Sequence, residues 1–147
     1  IAFVDCKIIF AQEENGFLKL PGGGQDEGES DIETLVREFR EETGYKGIPS
    51  SAREFGYIEE KRKSLHEEMI WHQFNHIYFC EVSGDRGECE YSDNEKSRGM
   101  HPTAITLDEA LEQNLSVLEA EGKQAWNQRE YNTLMLIKKY IDSESEK

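Results

Sequence analysis

Pro21-Gly22-Gly23-Gly24-Gln25-Asp26-Glu27-Gly28-Glu29-Ser30 runs straight into Asp31-Ile32-Glu33-Thr34-Leu35-Val36-Arg37-Glu38-Phe39-Arg40-Glu41-Glu42-Thr43-Gly44-Tyr45. The second half is an expected helix. Ser30 can cap its start, with Glu33 three residues on completing a capping box. Ile32, Leu35, Val36 and Phe39 recur at helical spacing and form the expected core face. Gly44 suits the left-handed position that ends a helix. Glu38, Glu41 and Glu42 stand at i, i+3 and i+4, so their carboxylates converge on one patch. Three like charges so close repel one another, and hard divalent cations relieve such a cluster. Magnesium fits oxygen ligands of this kind best, with manganese as a substitute. Arg37 can pair with Glu29, Glu33 or Glu41. Pro21 to Gly24 permit close backbone approach, so the loop can aim carbonyls at a metal or amides at a phosphate.

Outward from this stretch the chain alternates strands and helices. Ile1–Phe10 is apolar and β-branched and is expected as one strand, with Phe17–Leu20 paired back on it across the turn signal Glu-Glu-Asn-Gly. After the helix, Ala52–Glu60 is an expected strand, followed by a charged loop, Lys61-Arg62-Lys63. Phe74–Val82 is another strand. Ser83–Gly99 is polar and is expected as a mobile loop, with a short strand near Cys89. Met100–Thr106 suits an edge strand, because Pro102 lacks a donor. Thr106 and Glu109 form a capping box for a short helix, Leu107–Glu112. Asn127–Ile141 is a second long helix, with Trp126 packing beside it. The expected organisation is one domain over residues 1–142 and a frayed tail over 143–147.

The chain has 147 residues and a net charge of −14. That length allows a sizeable core, and the charge argues against a nucleic-acid partner. No apolar run reaches the roughly 20 residues of a membrane span. The residues given show no signal peptide, and a chain that opens inside a strand leaves room for residues before Ile1. Cys6, Cys80 and Cys89 are too widely spaced for a zinc site or a disulfide framework. Cys6 and Cys80 lie in apolar runs and are expected as buried reduced thiols, which points to the cytoplasm.

The central stretch resembles the signature of the Nudix hydrolases, G-x5-E-x7-R-E-U-x-E-E-x-G-U with U a bulky apolar or aromatic residue. It falls on Gly23, Glu29, Arg37, Glu38, Phe39, Glu41, Glu42, Gly44 and Tyr45 without departure. Even with this chain's Glu-rich composition such a match arises by chance roughly once in ten million starts, so coincidence is set aside. The resemblance implies an α/β fold, an α/β/α sandwich with a mixed central sheet. It implies magnesium- or manganese-dependent hydrolysis of a nucleoside diphosphate linked to another group. Carboxylates matching Glu38, Glu41 and Glu42 hold the metals in relatives, and a carbonyl near Gly22–Gly23 often joins them. The Glu29 position supports the loop and the Arg37 position orients the glutamates. Water attacks one phosphorus and a carboxylate takes its proton. Glu41 is the first candidate for that base, with Glu90 and Glu95 as alternatives.

Substrate choice lies outside the motif. Lys61, Arg62 and Lys63 form the one dense basic run and are candidates for distal phosphates, against the plainer reading of a solvated loop. His66, His72 and His76 lack metal-type spacing and read as hydrogen-bonding histidines. Trp71, Phe74 and Tyr78 can stack on a base, although strand aromatics are more often core. No proline follows the motif at the distance typical of ADP-ribose hydrolases, and no tyrosine stands where dinucleoside polyphosphate hydrolases usually have one. The expected partner is a small nucleotide-type molecule, not a membrane or nucleic acid, and a homodimer stays open. Two other functions compete. A non-catalytic nucleotide sensor of this fold usually loses motif glutamates, and here all are present. Removal of pyrophosphate from RNA 5' ends fits poorly with the acidity and the lack of a broad basic face.

Overall fold

The apolar run Ile1–Phe10 is a hairpin rather than one strand. The computed structural model describes residues 1–63, 68–122 and 125–146, the side chain of Ala125 excepted. In chain order the elements are β1 (Phe3–Val4), β2 (Lys7–Gln12), β3 (Leu18–Lys19), α1 (Asp31–Thr43), β4 (Lys46–Gly47), a 3-10 turn (Pro49–Ser51), β5 (Arg53–Lys63), β6 (Ile70–Phe79), β7 (Val82–Ser83), α2 (Asp93–Ser97), β8 (His101–Ile105), α3 (Leu107–Glu121) and α4 (Ala125–Ser145). Between β1 and β2, Asp5 and Cys6 have φ of 48° and 62°. Two successive positive φ values make the two-residue turn whose twist matches a hairpin. Neither residue is glycine, so the turn is silent in the sequence. Cys6 is therefore exposed, contrary to expectation, and Cys80 is only half-buried; all three thiols are unpaired.

β2 is the centre of the sheet. β1 and β3 pair with it antiparallel, Phe3 opposite Ile8 and Ala11 opposite Lys19. β8 pairs along it from Ile8–Ile105 to Gln12–His101, which puts Pro102 on a bordering strand. β5 and β6 form a long antiparallel hairpin, from Arg53–Phe79 to Lys63–Ile70, with a bulge between Glu54 and Gly56. The Ile1 nitrogen donates to Tyr78 O, and Cys80 N donates to Ile1 O. Bonds to the residues on either side of Phe79 have the pattern of a single parallel bridge, which ties the hairpin, a two-stranded sheet of its own, to the start of the four-stranded antiparallel sheet.

Alternate residues of β2 serve opposite faces. Ile8 and Phe10 pack with Leu18, Ala110, Leu134 and Ile137, beneath α3 and α4. Ile9 packs with Ala2 and Phe39, beneath α1. This is helix, sheet, helix in layers.

Four expectations change in detail. β5 continues through Lys63, so Lys61-Arg62-Lys63 is strand, not loop. β6 spans Ile70–Phe79, and Val82 belongs to β7, which pairs with β4. α3 runs to Glu121, well past Glu112, because Asn114 is satisfied inside the core: its Oδ1 accepts from Leu18 N at 2.8 Å and its Nδ2 donates to Leu18 O at 2.7 Å. α4 runs on through Ser145, into residues expected as a tail, and Trp126 on it meets Phe17 edge to face.

The segment 84–99 is not a loose loop. It holds α2, capped by Ser92 and Glu95, and no strand forms at Cys89. Its first part runs across the C-terminal end of α1. Glu90 N donates to Glu41 O, Tyr91 Oη to Glu42 O, Arg86 Nε to Thr43 O and Gly87 N to Gly44 O, at 2.8–3.1 Å. Those carbonyls have no partner within the helix. Gly44 has φ 75°, and a Cβ there would lie 2.2 Å from Gly87 O. Among the described residues no helix is long and apolar enough to cross a membrane. His66 lies outside the described residues.

Candidate active site

α1 starts as its sequence suggests. Ser30 Oγ accepts from Glu33 N, and the Glu33 carboxylate accepts from Ser30 N at 2.8 Å. A cap of this kind contributes about 1 kcal/mol. Glu33 is thereby taken from Arg37. The buried stripe is narrower than expected: Phe39 is buried, joined by Thr34, Glu42 and Thr43, while Ile32, Leu35 and Val36 are half-buried. Leu35 instead lines a cavity described below.

Arg37 ties the loop to the helix. Its Nε donates to Glu29 Oε1 at 2.6 Å and its Nη2 to Glu29 Oε2 at 2.9 Å. Nη2 also donates to Gly24 O at 3.0 Å. Nη1 donates to Glu38 Oε1 at 2.7 Å and Glu41 Oε2 at 3.3 Å. Only a planar, forked cation can serve so many acceptors at fixed angles. Glu29 also accepts from Asp26 N and Thr34 Oγ1, at 3.0 and 2.8 Å. Arg37 first, then the Asp26 amide, lowers the Glu29 pKa to about 2, and Glu29 in turn raises that of Arg37. Gly23 faces the Glu38 carboxylate so closely that a Cβ would lie 2.4 Å from an oxygen.

Glu42 points inward. It is 1% exposed; its Oε2 accepts from Gly22 N at 2.9 Å, and Lys19 Nζ lies 2.8 Å from Oε1. The lysine approaches as an ion pair without hydrogen-bond alignment, which leaves Oε1 a buried oxygen with no aligned donor. Burial pushes the Glu42 pKa up to about 7, against Lys19 and the Gly22 amide. Glu95 on α2 interacts with this carboxyl. Burial acts to raise its own pKa, but the Ser92 amide and hydroxyl and Glu42 outweigh it and hold it below the usual range. Glu90 is held outward by Arg40 at 2.8 Å.

Among the described residues no three carboxylate, imidazole or thiol groups are already converged for a metal ion. Glu38 and Glu41 turn to Arg37, and Glu42 to Lys19. The donors nonetheless suit a hard cation: carboxylates from one helix face, the unsatisfied Oε1 of Glu42 and the loop carbonyls, with Gly23 leaving space beside Glu38.

A cavity of about 610 Å³ opens beside this arrangement. The glycine loop, Glu38 and Leu35 form one side, Ile58, Asn75 and Ile77 of the hairpin another, and Arg129 and Glu130 of α4 a third. Lys61 and Arg62 do not line it. They pair with Glu59 at 2.7 Å and Glu60 at 3.1 Å, and border a separate concavity at the hairpin tip with Met69 and Ile70. His72 and His76 pair with Glu59 and Glu54 at 2.8 and 2.9 Å, beside Tyr57 and Phe74, and Phe74 and His76 also border the cavity. Tyr78 Oη donates to Asp31 at 3.2 Å. Sequence reasoning missed Lys19, Asn75 and Glu130, which no local pattern marks. Glu95 was a candidate for base only; its capping box Ser92-x-x-Glu95 was there to be read.

The profile described as NUDIX domain matches residues 4–123. The chain belongs to the Nudix family. Among solved structures it resembles a NUDIX hydrolase from Nitrosomonas europaea, at 17% identity and TM-score 0.57, covering 88% of this chain and 80% of that one. A UDP-X diphosphatase is similar at 21% identity and TM-score 0.49, covering 84% of this chain and 62% of that one. The E. coli ORF135 protein is similar at 22% identity and TM-score 0.45, covering 82% of each chain. No curated protein matches the chain. The likeness to the Nitrosomonas europaea structure is one of fold; membership rests on the profile and on the complete motif.

Proposed function

We propose that this Nudix protein is a pyrophosphohydrolase. It cleaves the pyrophosphate bond of a nucleoside diphosphate linked to another moiety, with Mg²⁺, or Mn²⁺ as a substitute. The observation that carries this reading is the single Arg37 guanidinium bracing Glu29, Glu38, Glu41 and the Gly24 carbonyl at the edge of a nucleotide-sized cavity. Glu38, Glu41, Glu42 and the Gly22 carbonyl would hold the cation. When bound, the cation neutralises phosphate oxygens and lowers the pKa of water.

The chain's own residues set positions. Glu29 stays ionised and keeps Arg37 in place, and Arg37 aims Glu38 and Glu41. The attacking water bonds to one phosphorus, the bridging P–O bond breaks, and the leaving phosphate keeps the electron pair. Glu41 accepts the water's proton. Of the two loop carboxylates, Glu95 is the nearer alternative, because it interacts with Glu42 while Glu90 is tied to Arg40. Lys61 and Arg62 contact only a substrate long enough to reach the hairpin tip. Three unpaired thiols suit a reducing cytoplasm.

The test is a panel of nucleotide substrates with Mg²⁺, read as phosphate or pyrophosphate release. Turnover that survives both Glu41→Gln and Glu42→Gln unharmed sinks the metal mechanism. Tight binding with no turnover of any compound favours a sensor.

A further inference from the structure

One face of β6 carries a hydrogen-bond chain with a fixed direction, from Trp71, which is 50% exposed, in to Asn75. Trp71 Nε1 donates to Gln73 Oε1 at 2.6 Å, and Gln73 Nε2 donates to Asn75 Oδ1 at 2.8 Å. The three residues stand at i, i+2 and i+4 of one strand, so they share a face. An indole N–H can only donate. That settles the orientation of both amides: Gln73 must turn its oxygen to Trp71 and its nitrogen to Asn75. Asn75 must then turn its nitrogen away. This Nδ2 is the loose end of the chain, buried and without a partner. A buried amide donor left unpaired costs stability. Asn75 lines the cavity beside the motif, so an acceptor brought into the cavity, with a small displacement of its wall, is what would satisfy it.

The charges of the cavity decide what kind of acceptor. Its lysine and arginine are both engaged, Lys19 with Glu42 and Arg129 with Glu60. Glu130, on the wall formed by α4, holds Leu20 N at 2.6 Å. A phosphate there would meet a carboxylate and no free cation, so the phosphates belong at the motif end. Leu35, Ile58, Ile77, Phe74 and Tyr78 give the walls apolar surface, interrupted by Thr34, His76 and Thr133, and that surface suits the faces of a flat ring better than a sugar. Nδ2 is also recessed, and an atom that projects beyond the ring reaches it more readily than a ring nitrogen flush with the edge.

We infer that this cavity binds the nucleobase of the substrate and that Asn75 Nδ2 donates to an exocyclic carbonyl oxygen of that base. Trp71 and Gln73 act as positioning residues that lock the amide. The inference rests on the pyrophosphohydrolase reading for the identity of the ligand, and its test does not depend on turnover.

Calorimetric titrations of the full chain in magnesium buffer compare inosine 5'-monophosphate, adenosine 5'-monophosphate and ribose 5-phosphate, none of which has a pyrophosphate bond to break. Hypoxanthine presents a carbonyl where adenine presents an amino group. The expected result is about tenfold tighter binding of the inosine nucleotide. Asn75→Asp keeps the shape and the acceptor for Gln73 but removes the donor, and should erase that preference. Gln73→Leu frees the amide to present either end and should shrink it; this variant decides if Asn75→Asp proves unstable to heating. Equal binding of the two nucleotides overturns the proposal. So does no binding of either, a preference that persists in Asn75→Asp, or ribose 5-phosphate competing as well as the inosine nucleotide. Selective binding with no hydrolysis of the substrate panel leaves this proposal standing and defeats the hydrolase reading instead.

Discussion

The glycine loop with α1 and the hairpin β5–β6 face each other across one cavity, and they are organised in opposite ways. The motif half is braced by partners close in sequence, with Arg37 reaching residues 24, 29, 38 and 41. The hairpin half is a ladder, one face of which ends in an unpaired amide, and it leaves Tyr57, Trp71 and Phe74 at least half exposed. A rigid half suits chemistry shared by a family. A half with loose ends suits the choice of ligand.

The sharpest way to break this contrast is to remove the chemistry without touching the hairpin. Glu41→Gln and Glu42→Gln should each lower kcat by about 10³-fold, the loss expected when several kcal/mol of metal-assisted stabilisation goes; steady-state kinetics with Mg²⁺ checks this. Arg37→Lys keeps the charge but cannot fork to Glu29 while reaching Glu38 and Gly24. It should cost about 10- to 100-fold, the range for residues that orient metal ligands, and a near-normal kcat would mean that Arg37 braces nothing essential. Gly23→Ala should cost about tenfold, mainly in kcat, because the methyl group forces the Glu38 carboxylate aside while leaving the backbone free. An unchanged kcat would show that Glu38 has room to move without loss. Across the cavity, Lys61→Ala and Arg62→Ala should change KM by less than about threefold for short nucleotides, since exposed ion pairs are weak; a larger effect would place the tip in the substrate site.

The smallest effect is one of pH. Glu29 has a folded pKa of about 2, below its ordinary value of 4.5. A depressed carboxylate stabilises the fold above its unfolded pKa, and that stability is lost as pH falls through the folded value. The stability gap between the wild type and Glu29→Gln should therefore be full above about pH 5 and close between pH 4.5 and 2. Urea unfolding at stepped pH reads it, and a gap that stays constant over that window contradicts the assignment.

How legible each half was follows from the same difference. α1 could be read because its cap, its closing glycine and its glutamate spacing are all local. Of the hairpin, the strands through Glu60 and from Phe74 could be read, but its far end could not, because β5 carries charges to its end, and Lys61-Arg62-Lys63 reads as loop unless the partner strand is known. Asp5–Cys6 turns without glycine, and α3 passes Asn114 only because Leu18 satisfies it. Within the site, the carboxylates of Glu38, Glu41 and Glu42 were named from spacing, but that Glu42 faces inward to Lys19 depends on where β3 lies. Asn75 acquires meaning only beside its neighbours on the strand.

The segment Arg86–Tyr91 has one more consequence. It satisfies four successive carbonyls at the end of α1, two of which belong to Glu41 and Glu42. It is a splint rather than a connector. A protease that cut within it would leave every motif residue in the chain, yet the last helical turn would be free to unwind and release two of the glutamates. Susceptibility to cleavage along this strip of surface is thus a gauge of the state of the active site.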